Sequence, residues 1–183
     1  MKKTLLFAFL LLGTVFSQAQ NISKNAIGLR LGDNDGFGGE VSYQRGLSKN
    51  NRLEFDLGWR TRTRYGFNNG FGNDNFKGYD NRSVKLVGLY QWVWNIDGGF
   101  NWYAGVGGGL ANDSYNYNYN FDGNTYKASD SYTYALVAGD IGIEYNFDFP
   151  LQLSIDFRPE IYFTDKVQED FGPDVGLGVR YKF

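Results

Sequence analysis

Val175-Gly176-Leu177-Gly178-Val179-Arg180-Tyr181-Lys182-Phe183 alternates strictly. Val175, Leu177, Val179, Tyr181 and Phe183 fall on one face, and Gly176, Gly178, Arg180 and Lys182 on the other. A period of two makes this a β-strand with one apolar and one polar face. Where the apolar face points depends on the strands it joins.

The rest of the chain repeats the pattern. At 183 residues, with 19% aromatic residues, 25 glycines and only 3 prolines, the composition suits one all-β domain. Strands are predicted at 26–32, 39–47, 52–65, 83–96, 100–117, 132–147, 151–163 and 174–183. In the seventh, Leu151, Leu153, Ile155, Phe157, Ile161 and Phe163 oppose Gln152, Ser154, Asp156, Arg158, Glu160 and Tyr162. In the third, Leu53, Phe55, Leu57 and Trp59 oppose Glu54, Asp56, Gly58, Arg60 and Arg62; in the fourth, Val84, Leu86, Tyr90, Trp92 and Trp94 form the apolar face.

The connections sort by length. Residues 48–51, 97–99 and 148–150 are tight turns, whereas 33–38, 66–82, a region around 112–131 and 164–173 are mostly longer and polar. An even number of antiparallel strands with short turns at one end and long loops at the other marks an eight-stranded up-and-down transmembrane β-barrel. The turns also fix registers. Pairing Ile96 with Phe100 sets Trp94 against Trp102 and Trp92 against Ala104. Pairing Phe147 with Leu151 keeps apolar faces together. A hairpin through Asp122-Gly123-Asn124-Thr125, read from its Gly-Asn pair, sets Gly107 against Asp140 and Tyr103 against Glu144. Pro159 lies inside the seventh strand, where a missing donor predicts a bulge or the end of regular pairing.

The polar face carries Arg30, Glu40, Glu54, Asp56, Arg60, Arg62, Arg64, Lys85, Asp140, Glu144, Asp156, Arg158, Glu160, Arg180 and Lys182, eight bases and seven acids. Long charged side chains among glycines suit a narrow, charge-balanced lumen, because an unpaired charge out of water costs several kcal/mol. In a soluble, lipocalin-like barrel the same residues would be a solvated outer face and the apolar side would hold a ligand. Trp92, Trp94, Phe100, Trp102 and Phe147 gather near the short turns as an interfacial aromatic girdle would. The outward face turns polar beyond Leu110, with Asn112, Ser114, Asn116, Asn118 and Asn120, which sets the far membrane boundary there.

The chain opens with Met1-Lys2-Lys3, an apolar run over 5–16 and Ser17-Gln18-Ala19. These are the parts of a secretory signal peptide, 1–19, cleaved after Ala19; the barrel domain is 20–183. The apolar run is shorter than the ~20 residues a helical span needs. Losing Lys2 and Lys3 takes the formal charge from −2 to −4, and without a basic run nothing points to nucleic acid. There is no Cys, hence no disulfide and no lipidated cysteine.

The pattern resembles the small eight-stranded outer-membrane barrels of Gram-negative bacteria, the OmpX and OmpA-transmembrane-domain type, over 21–183. The leader, the dyad alternation, the loop asymmetry and the terminal Phe carry the resemblance. It implies an integral protein of the cell outer membrane, embedded in its lipid. In that family the last strand is the signal read by the outer-membrane assembly machinery; the matching positions are Val179, Tyr181 and Phe183.

Three functions are weighed. Barrel enzymes of this class use a His, and this chain has neither His nor Cys, so the usual general base and thiol nucleophile are missing. Asp156 with Glu160 and Asp140 with Glu144 read as ion-pairing groups rather than acid–base pairs, and the expectation is a non-enzyme with no cofactor. Asp33-Asn34-Asp35-Gly36 lacks the spacing of a calcium loop and reads as a turn. A small gated, porin-like conductance is the second reading, since eight strands leave an interior that side chains fill. The third is surface interaction. Phe121 set against Tyr126 and Tyr115 against Tyr132, with Tyr117 and Tyr119 on the same side, extend strands five and six as an extracellular hairpin. Its edges offer an extracellular protein partner a place to add a strand.

Overall fold

The computed structural model describes residues 22–32, 39–65, 75–121, 124–165 and 171–183. The leader, the Asp33–Gly36 turn and most of the long loops lie outside them. Eight strands follow in order: β1 Asn25–Gly32, β2 Glu40–Gly46, β3 Asn51–Tyr65, β4 Asn75–Asp97, β5 Phe100–Phe121, β6 Asn124–Asn146, β7 Leu151–Phe163 and β8 Phe171–Lys182. Each pairs antiparallel with its sequence neighbours, and β8 returns to β1 to close a barrel.

The closing seam sets Ile27 against Tyr181, Leu29 against Val179 and Leu31 against Leu177, so the apolar sides of the first and last strands are continuous. Asn25 and Phe183 exchange backbone hydrogen bonds of 3.0 and 2.9 Å at its end. A side chain at Gly28 would overlap the Val179 carbonyl, so this close approach requires glycine.

Closure decides the faces. Arg30, Arg158 and Glu160 are fully buried inside, while Leu29, Leu177, Ile155 and Leu86 are all more than half exposed outside. Such an inverted barrel belongs in lipid, where the closed ladder satisfies every strand edge internally. The lipocalin-like arrangement, with its apolar face inside, is excluded.

Four expectations need correction. First, the turn at 97–99 closes on Asp97 and Phe100 rather than Ile96 and Phe100. Gly98 and Gly99 both have positive φ, 55° and 90°, as a two-residue hairpin turn of the I′ type demands. The extra residue, Ile96, is absorbed as a bulge, so Trp94 still faces Trp102 and Trp92 still faces Ala104. Second, β5 and β6 are shifted by two residues. Gly105, not Gly107, opposes Asp140; Asn101, not Tyr103, opposes Glu144; the last pair is Phe121 with Asn124. The hairpin read from Gly-Asn is therefore not the one formed: Asn124 is paired in β6, and 122 and 123 lie outside the described residues. A shift of two preserves every face.

Third, β4, β5 and β6 outrun the 83–96, 100–117 and 132–147 predicted for them, and the region around 112–131 follows the hairpin reading, not the loop reading. Pairing runs unbroken from Asn112 with Thr133 to Phe121 with Asn124, and β4 joins from Asn75, because the alternation of Tyr with Asn and Ser continues the strand period. Fourth, Pro159 makes no bulge, and the break in regular pairing expected there is local to the β6 side and does not end the strand. Ala138–Glu160 and Ile141–Phe157 share one register, and pairing lapses only for the two rungs between them. On its other side Pro159 stands opposite Pro173.

Candidate functional site

The lumen is built in layers, each laid down by inward positions of successive strands. Near the short turns, Arg52 donates to Glu144 at 2.6 Å and to Gln91 at 2.5 Å, and its guanidinium lies 4.8 Å above the Tyr103 ring. Asn101 and Asn146 donate to the other Glu144 oxygen. Below them is a cavity of about 70 Å³ lined by Ile22, Ser23, Gln44, Gln152 and Lys182 among others.

Three arginines organise the middle. Arg30 contacts Glu40 at 3.1 Å, Asp174 at 2.6 Å, and Asp156. Arg158 lies between Glu40 and Glu54, both at 3.3 Å, and Asp56 at 2.8 Å. Arg180 meets Glu54 at 2.7 Å and donates to Ser154 at 2.8 Å and to Ser42 at 2.9 Å. Gly176 makes room for this layer, since a methyl there would lie 2.6 Å from Arg30 Nε. Above it, Lys85 pairs with Glu160 at 2.8 Å and Glu40 at 3.3 Å, and the Tyr162 hydroxyl donates to Glu160 at 3.0 Å.

An apolar layer then crosses the interior. Val87, Leu89, Ala111, Leu136 and Ala138 pack with Tyr134 and Tyr162, none of the seven more than 9% exposed. The sequence reading passed over it because β4 is apolar on both faces: Val87 and Leu89 alternate with Leu86 and Tyr90, so periodicity carries no sign there. Beyond this layer buried Asp113 accepts from the hydroxyls of Ser83 and Tyr134.

Of the predicted lumen charges, Arg30, Glu40, Glu54, Asp56, Lys85, Asp140, Glu144, Asp156, Arg158, Glu160 and Arg180 are buried inside. Arg60 is half-buried and donates to Ser83, Arg62 is exposed, and Lys182 sits half-buried at the short-turn rim, donating to the Phe147 carbonyl. The Arg64 side chain lies outside the described residues. Arg52, Asp113 and Asp174 were missed, although each shares the parity of its strand's inward residues. They change the count. Among the described residues nine carboxylates and five bases are buried, so the balance expected from sequence becomes an acid surplus.

On the outside, Trp94 and Trp102 stack at 4.1 Å, Phe100 meets Tyr145 at 4.6 Å, and Tyr145, Phe147 and Phe149 continue the cluster. Trp92 packs edge-on against Tyr90. All lie near the short turns. At the opposite end Trp59, Phe163 and Phe171 stand exposed, a sparser set that the sequence reading did not single out. The outward apolar run of β5 between Phe100 and Leu110 matches the about 9–11 residues with which a tilted strand crosses a bilayer.

The long-loop ends of β4, β5 and β6 stand as a three-stranded extension. Its inward face carries a tyrosine ladder: Tyr117–Tyr115 at 6.1 Å, Tyr115–Tyr132 at 6.0 Å, Tyr132–Tyr134 at 5.8 Å and Tyr134–Tyr162 at 5.8 Å. Tyr115 opposes Asp130, not Tyr132, yet the two rings meet diagonally with hydroxyls 3.4 Å apart. Tyr126 is exposed and opposes Tyr119 rather than Phe121. The side chains of Tyr119 and Phe121 lie outside the described residues. From residue 124 to 134, β6 pairs only with β5 among the described residues, its pairing with β7 beginning at Ala135.

No family model matches this chain, and no curated protein does. Solved structures do. The chain is similar to the attachment invasion locus protein Ail of Yersinia pestis, in complex with the heparin analogue sucrose octasulfate. The identity is 14% and the TM-score 0.52, over 88% of this chain and 97% of that one. It is also similar to Neisserial surface protein A at 12% identity and a TM-score of 0.52, over 87% and 94%. The N-terminal β-barrel domain of Pseudomonas aeruginosa OprF matches at 18% identity and a TM-score of 0.47, over 91% and 100%. At such identities the likeness concerns the fold, which is that of the small eight-stranded outer-membrane β-barrels.

Proposed function

We propose that this chain is a non-enzymatic, integral outer-membrane barrel whose working surface is the extracellular extension of β4, β5 and β6. In this reading the leader is removed after export, and the assembly machinery reads Val179, Tyr181 and Phe183. The two aromatic zones lie at the membrane interfaces. The observation that carries it is the sealed interior. Ion-paired arginines fill the middle, and Val87, Leu89, Leu136 and Ala138, at most 3% exposed, close the space above. A lumen packed this way supports a structural scaffold better than a channel. The elaborated part of the molecule is then the tyrosine-lined sheet.

That sheet suits an extracellular protein partner. Its β6 edge, 124–134, offers ladder positions to an added strand, and the aromatic column beneath keeps it rigid. The Ail structure in complex with a heparin analogue is in keeping with a surface role for barrels of this shape. Refolded protein and a variant lacking 114–131 should be compared in a binding screen against extracellular proteins. Partners retained by the whole chain and lost by the shortened barrel support the reading. Equal binding by both contradicts it.

A further inference from the structure

Within the tyrosine column of the extension, Tyr115 on β5 and Tyr132 on β6 sit diagonally across the strand pair, since Tyr115 opposes Asp130 and Tyr132 opposes Asp113. Their rings lie 12° from parallel with centroids 6.0 Å apart, and their hydroxyls meet at 3.4 Å. The ring carbons next to the two C–O bonds therefore border the same gap. Both side chains are partly exposed, so water and a small solute reach them.

Rings on either side hold this pair in place. Tyr117 stacks on Tyr115 at 6.1 Å and 12°, and buried Tyr134 leans on Tyr132 at 5.8 Å. Further down the column the phenols are engaged differently. Tyr134 donates to Asp113 at 3.2 Å and Tyr162 to Glu160 at 3.0 Å, and their two rings meet edge-on at 86°. Tyr115 and Tyr132 instead present their hydroxyls to each other.

We propose that Tyr115 and Tyr132 form an oxidative coupling site, joined by a small one-electron oxidant into a dityrosine that staples β5 to β6. Each phenol gives one electron to the oxidant and its hydroxyl proton to water, so two equivalents of oxidant are reduced. The two phenoxyl radicals pair to form one bond between the ring carbons beside the oxygens. The hydrogens on those carbons then pass to the oxygens, both phenols are restored, and the pair has lost two hydrogens in all. Rings already held side by side couple at a high effective concentration, which favours this bond over encounters between barrels. It closes residues 115–132 into a covalent ring and limits fraying of the hairpin as a disulfide would, in a chain that has no Cys. The staple needs only that the extension stand in water, so it is independent of any partner the extension binds.

The full barrel, refolded in detergent micelles, is exposed to photogenerated tris(bipyridyl)ruthenium(III) and digested with trypsin. Lys127 lies between the two tyrosines. Coupling should therefore leave the peptides on either side of that cut joined, two hydrogens lighter and fluorescent as dityrosine, in protein that still runs as a monomer. Tyr115→Phe and Tyr132→Phe keep both rings and should each lose the joined species, while Tyr126→Phe retains it. Joined peptides missing from oxidised wild type, dityrosine found only between barrels, or an equal yield in Tyr115→Phe would overturn the proposal. So would an equal yield from wild-type protein unfolded in urea, a comparison that needs no variant to fold.

Discussion

Arg158 shows how closely this interior depends on single side chains. Its guanidinium contacts Glu40, Glu54 and Asp56, each almost wholly buried. Arg158→Ala removes the base and leaves their charges enclosed, which should cost about 3–5 kcal/mol in urea unfolding of the micelle-refolded protein. The glycines opposite the arginines are equally constrained. Gly176→Leu drives a side chain into Arg30 and should lower stability by about 1–3 kcal/mol or prevent refolding. Both readings of these residues were accessible from parity, since Arg158 and Gly176 share the inward face with their neighbours. What parity withheld was partner choice. Which carboxylate an arginine meets depends on strand stagger around the closed ring, as in the meeting of Arg30 with Asp156, 126 positions away in sequence.

Among the elements, the extension of β4, β5 and β6 has its own aromatic support above the barrel. Tyr115 and Tyr132 touch through rings and hydroxyls, so a double-mutant cycle with Phe or Ala at each should give a coupling of about 0.5–1.5 kcal/mol. Deleting 114–131 should leave the heat-modifiable mobility of the barrel intact, because the apolar layer and, among the described residues, the buried ion pairs lie below it. Strand alternation made the eight elements and their faces legible in advance. The β5–β6 register was not legible, since Asp-Gly and Gly-Asn lie side by side in one turn and both choices preserve the faces. The apolar layer escaped for another reason: β4 carries Val87 and Leu89 inward beside Leu86 outward, and a strand apolar on both sides has no periodic signal.

Taken whole, the molecule is an inside-out protein, with charge packed at its centre and Leu, Ile and Val on its surface. Its closing strand completes the seam and, in the proposed function, also presents Phe183 to the assembly machinery. Phe183→Ala should therefore reduce outer-membrane insertion in cells while leaving refolding into micelles nearly unchanged, measured by the fraction of heat-modifiable protein in each case. In the proposed function this barrel spans the membrane with a sealed lumen. Planar-bilayer recording on the refolded protein tests it most directly: the sealed lumen predicts insertion without a steady open conductance, and a large, sustained current through single barrels would contradict it.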